Sequence, residues 1–327
     1  MDVLVVFTGG TIGSKSDNDV LKASEGTAYT LLSEYQKKSA DDVNFTTIAP
    51  LNILSENLKP QDWTILIQAI KDASYEKYDG VIITHGTDTL AYTSALLALY
   101  FHHIQIPILL VSSHLPLDDA LNNGSVNFAT AMAFIKDKLA SGVFVAYKNP
   151  SESFTSIFYG ERLLMSRQLS SHFDSVDGIY ASYKEDSFHI QSTLQRPDHK
   201  HPLKADFNTN LLYIKPYPGI NYDHYNLEDV SCVLHDLYHS GTADFQLLDA
   251  FIQRCTTKNI PVFLAPILKE QNLYESSASL QQSQAHFIYD ISIEAAFAKL
   301  HLALGNFQDL DEILTFLRTP FHLEFIE

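Results

Sequence analysis

The sequence predicts an α/β fold in two parts: a larger N-terminal domain on a mostly parallel sheet flanked by helices, then a smaller C-terminal α/β domain. Three observations carry this. Short β-branched runs alternate with helix-length segments. The runs are apolar throughout rather than every second residue, as in parallel strands covered on both faces. One polar stretch with prolines and histidines interrupts the alternation, which then resumes on a smaller scale.

Taken in order, strands are expected at 3–7, 44–48, 80–84, 108–112 and 142–146, with helices at 28–39, 59–74, 88–101 and 125–139. "LKPQDW" starts the second helix, because proline fits a first turn whose N–H has no partner. The polar stretch "QSTLQRPDHKHPLKADFNTN" divides the chain into a domain over 1–187, a linker over 188–210 and a second domain over 211–327. In the second domain "LLYIKPYPGI", "IPVFLAPIL" and "SIEAAFAKLHLALG" repeat strand and helix patterns.

Composition excludes several functions. With 22 basic and 39 acidic residues the net charge is −17, and no dense basic run is present to neutralise a phosphate backbone, so nucleic acid is not an expected partner. No apolar run reaches the roughly 18 to 20 residues that span a bilayer, and the N-terminus opens on a strand without a basic leader, so a cytoplasmic protein with no membrane partner is expected. Cys232 and Cys255 are the only cysteines and are expected as buried free thiols. His199 and His201 are expected as solvated linker residues, and neither metal nor cofactor is expected.

Chemistry concentrates in two turns. "TGGTIGS" follows the first strand and "HGTDTL" the third, and in a parallel sheet such turns lie beyond the carboxyl ends, where ligands bind. Glycines let the backbone approach a ligand closely, but no lysine follows at P-loop spacing and no G-x-G-x-x-G occurs, so phosphate is not the expected ligand. Thr11 and Thr87 offer hydroxyls and Asp88 a carboxylate. Each has a structural alternative, a local hydrogen bond for the threonines and a helix cap for Asp88. Together they supply what acyl transfer from an amide requires: a nucleophile, a polar partner and N–H donors for an oxyanion. No G-x-S-x-G elbow supports a serine hydrolase.

The pair "TGGTIGS" and "HGTDTL", in that order, resembles the L-asparaginase/glutaminase family of threonine amidohydrolases, and the similarity covers essentially the whole chain. The resemblance implies cofactor-free hydrolysis of L-asparagine to aspartate and ammonia through an acyl-enzyme on Thr11. Thr87 and Asp88 stand at the family's second threonine and aspartate. Ser55 and Glu56 in "LNILSENLKP" match its loop for the α-carboxylate and α-amino ends, and Gly10 and Gly86 complete the substrate site. The same "SEN" resembles the amidase component of archaeal glutamyl-tRNA amidotransferase. The resemblance also implies a homodimer or homotetramer, with Ser240-Gly241-Thr242 contributed to a neighbouring protomer's site.

Two departures stand out. The family's triad lysine falls here on Leu164 or Met165, leaving Arg162, Arg167, Lys148 or Lys15 as candidates for the charge, although a guanidinium cannot act as a base. The loop over 14–28 has no tyrosine, yet its polar composition between Gly13 and Gly26 is expected to make a mobile lid. Two readings follow: an asparaginase-type amidohydrolase acting on L-asparagine or a related small amide, and an inactive homologue that binds a small amino acid as a sensor or regulator.

Overall fold

The computed structural model describes the chain except for residues 11, 13, 18–19, 24, 193, 198–201, 208–209, 270–273 and 327, and gives the backbone alone between 14 and 29. Five strands form the parallel centre of the large sheet: β1 (Asp2–Phe7), β4 (Asn44–Ile48), β5 (Gly80–Thr84), β6 (Pro107–Val111) and β7 (Gly142–Tyr147). Their alternate side chains face two cores. Leu4, Val6, Val81 and Ile83 pack under α2 (Pro60–Asp72) and α3 (Leu90–Tyr100), while Val3, Val5, Ile82 and Leu109 pack under α1 (Glu25–Lys38) and α4 (Gly124–Lys136). Burial on both faces explains strands without polar alternation.

The sheet then continues with antiparallel strands: β8 (Thr155–Tyr159), β9 (Ala181–Lys184) and β10 (Ser187–Ile190). Glu185 and Asp186 both have positive φ, the requirement of a two-residue hairpin turn matched to strand twist. The large sheet therefore extends past the boundary expected at 187, and β10 occupies the first residues assigned to the linker. Within the segment expected as a mobile lid, Ser14–Asp17 (β2) pairs with Val20–Ala23 (β3) as a hairpin.

The second sheet is parallel throughout: β11 (Leu211–Ile214), β12 (Cys232–Asp236), β13 (Val262–Ala265) and β14 (His286–Phe287). Helix α5 (Phe245–Thr256) covers one face with Leu248, Phe251 and Ile252. The other face, with Cys232 and Leu234, joins the large domain's core around α7 (Ile293–Asn306). A short helix, α6 (Glu275–Leu280), precedes β14, and α8 (Leu310–Arg318) follows α7. Both cysteines are free and buried, and burial pushes their thiols up, Cys232 to about 12 and Cys255 to about 11. Among the described residues no helix is long and apolar enough to cross a membrane.

Strand order places the site. In the large sheet β1 lies between β4 and β5. The chain leaving β1 goes on to β4 on one side, and the chain leaving β5 goes on to β6 on the other. Connections departing in opposite directions open a crevice at the carboxyl ends of β1 and β5.

Candidate active site

Both glycine-containing turns emerge into that crevice and touch. Thr8 donates its hydroxyl to the Thr84 carbonyl at 2.7 Å, tying the exit of β1 to the end of β5. Ile53 then clamps the turn from the other side, donating to the Thr8 carbonyl and accepting the Gly10 N–H, each at 3.0 Å. A side chain has no room here. A Cβ on Gly9 would lie 2.3 Å from the Ile53 carbonyl oxygen, and one on Gly10 2.5 Å from the Gly86 nitrogen. Both glycines also have positive φ, 103° and 77°, which other residues rarely adopt.

Ser55 closes the third side. It is buried at the start of the 3-10 turn Ser55–Asn57, and its Oγ accepts the Asp88 N–H at 3.2 Å while its carbonyl accepts the Thr89 hydroxyl at 3.0 Å. A Cβ on Gly86 would meet that Oγ at 2.4 Å, so Gly86 is what lets the loop seat. Of the residues expected in the site, Gly10, Ser55, Gly86 and Asp88 are thus in direct contact. Thr87 adjoins them half-buried, and Glu56 is exposed on the same 3-10 turn. Thr11 lies outside the described residues.

Among the described residues the Thr87 hydroxyl and the Asp88 and Glu56 carboxylates make no hydrogen bond or ion pair, so they remain free to meet a ligand. Arg162 and Arg167 do not supply the charge next to Asp88. Arg162 donates to the carbonyls of Leu323 and Phe325 and to Asp177, and Arg167 pairs with Asp174. Met165 is 44% exposed, and its N–H donates to Glu294 at 3.0 Å. Ser240 and Thr242 share a hydroxyl contact of 3.3 Å across the turn after β12.

Two parts of the site escaped sequence reasoning. His85 is buried, and its Nδ1 lies 2.8 Å from the Gly86 carbonyl, a contact that assigns the proton to Nδ1. Burial pulls the ring down to about 4, the Gly86 carbonyl opposing, so it is neutral at pH 7 and braces the turn without adding charge. The second part is a pair of asparagines one helical turn apart. Asn127 joins the Ser112 carbonyl to the Lys148 N–H, and Asn123 joins the His114 N–H to the Lys148 carbonyl, all at 2.8 or 2.9 Å. They lock the loops after β6 and β7 together beside the crevice. The i, i+4 spacing in "NNGSVN" was the available signal.

Comparison with known proteins adds an independent line. A family model described as "Asparaginase, N-terminal" matches residues 2–206. An L-asparaginase from Thermococcus kodakarensis is 27% identical over 322 residues, covering 96% of this chain and 95% of that protein. A component of the glutamyl-tRNA(Gln) amidotransferase from Sulfurisphaera tokodaii is 26% identical over 336 residues, covering 98% of this chain and 74% of that one. Among solved structures, the thermostable L-asparaginase from Thermococcus kodakarensis superposes with a TM-score of 0.83 over 100% of both chains, at 25% identity.

Proposed function

Because the chain belongs to the asparaginase family, we propose that it hydrolyses the amide of L-asparagine, or of a related small amino-acid amide, to the acid and ammonia with Thr11 as nucleophile. The observation that carries this reading is the backbone contact of Gly10 with Gly86. Thr11 is bonded to the first glycine and Thr87 to the second, so the contact supports one shared cleft. In the proposed reaction the Thr11 hydroxyl oxygen attacks the amide carbon and its proton passes to the leaving nitrogen. Ammonia departs, and an ester remains on Thr11. Water then attacks that ester, regenerates the hydroxyl and frees the acid, with turn N–H groups facing the oxyanion in both steps.

The free groups suit an amino-acid substrate. Asp88 and Glu56 are available to an α-ammonium, and Ser55, whose Oγ accepts from Asp88, keeps its own proton to donate to an α-carboxylate. We also place the protein in the cytoplasm, on its two unpaired thiols, and assign it a homodimer or homotetramer. Exposed Leu121, Leu169, Tyr217, Tyr238 and Leu268, all in loops, offer apolar surface to a second copy.

One observation favours a second reading: the Asp88 carboxylate has no cation beside it among the described residues, as in a homologue that keeps the amino-acid pocket as a sensor and has lost turnover. Ammonia release from L-asparagine and L-glutamine, with Thr11→Ala and Thr87→Val controls, separates the two. Turnover lost in both variants is the expected result. No turnover, together with thermal stabilisation by aspartate or asparagine, would establish the binding protein instead.

A further inference from the structure

The small sheet has a cleft of its own. Along the edge strand β14, from Ala285 to Asp290, lies a cavity of about 450 Å³ between the sheet and the C-terminal segment after α8. Phe287 and Tyr289 line it, their rings stacked 5.6 Å apart at 19°, and Leu317 and Phe325 add apolar surface. Two cations converge on it, Lys269 from the loop after β13 and Arg318 from the last turn of α8. Neither has an ion-pair partner among the described residues. The cavity's one carboxylate, Asp290, is engaged by the Lys269 N–H at 2.8 Å.

We propose that this cavity binds a planar aromatic anion, with the ring against Phe287 and Tyr289 and a carboxylate or phosphate between Lys269 and Arg318. Arg318 also complements the carbonyl end of α8, as a cation in a last helical turn does. That role does not account for its convergence with a lysine from another loop over stacked rings. Arg318 is part of the cavity lining, and burial raises the Tyr289 phenol while the nearby Arg318 charge acts against that rise. In a chain of net charge −17, an anion needs such a local excess of positive charge, and here two cations meet one occupied carboxylate. A charged group on Arg318 orients the ligand, and ring stacking holds its body.

Calorimetric titration of the full chain with benzoate, AMP, adenosine and inorganic phosphate tests the assignment and separates the two anion sources. Saturable binding of benzoate or AMP is expected, with adenosine and phosphate at least about tenfold weaker. Arg318→Gln and Lys269→Gln are each expected to weaken the ring anion about tenfold or more. Both side chains are exposed, so Lys269→Gln should leave the unfolding temperature unchanged and Arg318→Gln should lower it only by the small helix-end contribution. Tyr289→Leu should weaken binding by removing the stack while leaving both charges. Absence of binding by either ring anion at millimolar concentration, equal binding of adenosine, or unchanged affinity in Arg318→Gln would overturn it.

Discussion

The active-site crevice and the C-terminal strap are both fixed in place by contacts between distant parts of the chain, and they use opposite means. In the crevice the contacts are between backbones. Gly9 lies on Ile53 and Gly10 on Gly86, the small side chains of Thr8 and Ser55 and the neutral His85 ring add hydrogen bonds to backbone, and among the described residues the carboxylates of Asp88 and Glu56 stay unpaired. In the strap, residues 320–326, the contacts are charges taken out of water. Lys299, fully buried in α7, donates to Glu324 at 2.6 Å, and His322 donates to the buried Glu161. Arg162 holds the carbonyls of Leu323 and Phe325. The strap offers a ligand only apolar surface such as the ring of Phe325, so its charges can be consumed internally. A site that must present free charge to a substrate has to be positioned by shape, and glycine makes that possible.

Breaking the strap is expected to cost most. Glu324→Ala leaves the buried Lys299 ammonium and the N–H groups of Phe321 and His322 without their acceptor, a loss of about 3–5 kcal/mol, whereas Lys299→Met with Glu324→Gln, which keeps an acceptor for those N–H groups, should recover most of it. Urea unfolding of the three proteins checks this, and a double variant as unstable as the single one would show that packing, not charge, holds the strap. Gly10→Ala is expected to follow at about 2–3 kcal/mol, since its φ is positive and its Cβ meets backbone that cannot rotate away. Ammonia release should fall at least about a hundredfold in the same variant, because the two turns can no longer close on one substrate.

Acid should separate the two regions. Burial pulls His85 down to about 4 from an ordinary value of 6.5, so its stabilising contribution is complete above 6.5 and is lost as pH falls toward 4, on the order of 3 kcal/mol. Burial raises the Glu161 carboxyl, but His322 outweighs it and holds the group below the usual carboxylate range, so that contribution is complete above about 4.5 and fades only below it. Buried His102, packed on Phe321 of the strap, is also pulled down to about 4, so in a His102→Asn background hydrogen exchange at pH 7.5, 5.5 and 4.5 should show the 84–89 turn loosening before the strap. His85→Asn, which keeps an N–H for the Gly86 carbonyl and cannot be charged, should flatten the turn's response. Simultaneous loosening of both segments would remove the distinction. The smallest effect is expected from Ser55→Ala, about 1 kcal/mol, because it removes only the acceptor of the Asp88 N–H.

Much of this was legible along the chain because it is local. The five central strands, the four helices between them and the two turns follow from runs of β-branched residues, apolar periodicity and glycines beside hydroxyl residues, each of which acts within about one element's length. The resemblance carried by "TGGTIGS" and "HGTDTL" matches the family to which the chain belongs. The strands left unassigned along the chain fall where short strands have no helix between them. Residues 155–190 and 14–23 form hairpins whose partners are chosen by turn conformation, as at Glu185 and Asp186, and by a sheet edge that exists only after folding.

By itself, then, the sequence determined the α/β class, the order of the central elements and the residue types available for chemistry, since propensity and burial pattern are properties of short segments. Tertiary structure alone decided that Ser55 accepts from Asp88, that Arg162 serves the strap and not the site, and that Asn123 and Asn127 hold Lys148 beside the crevice. Those pairings span up to 163 residues, and a polar group's partner is fixed only when burial removes water as the competing choice.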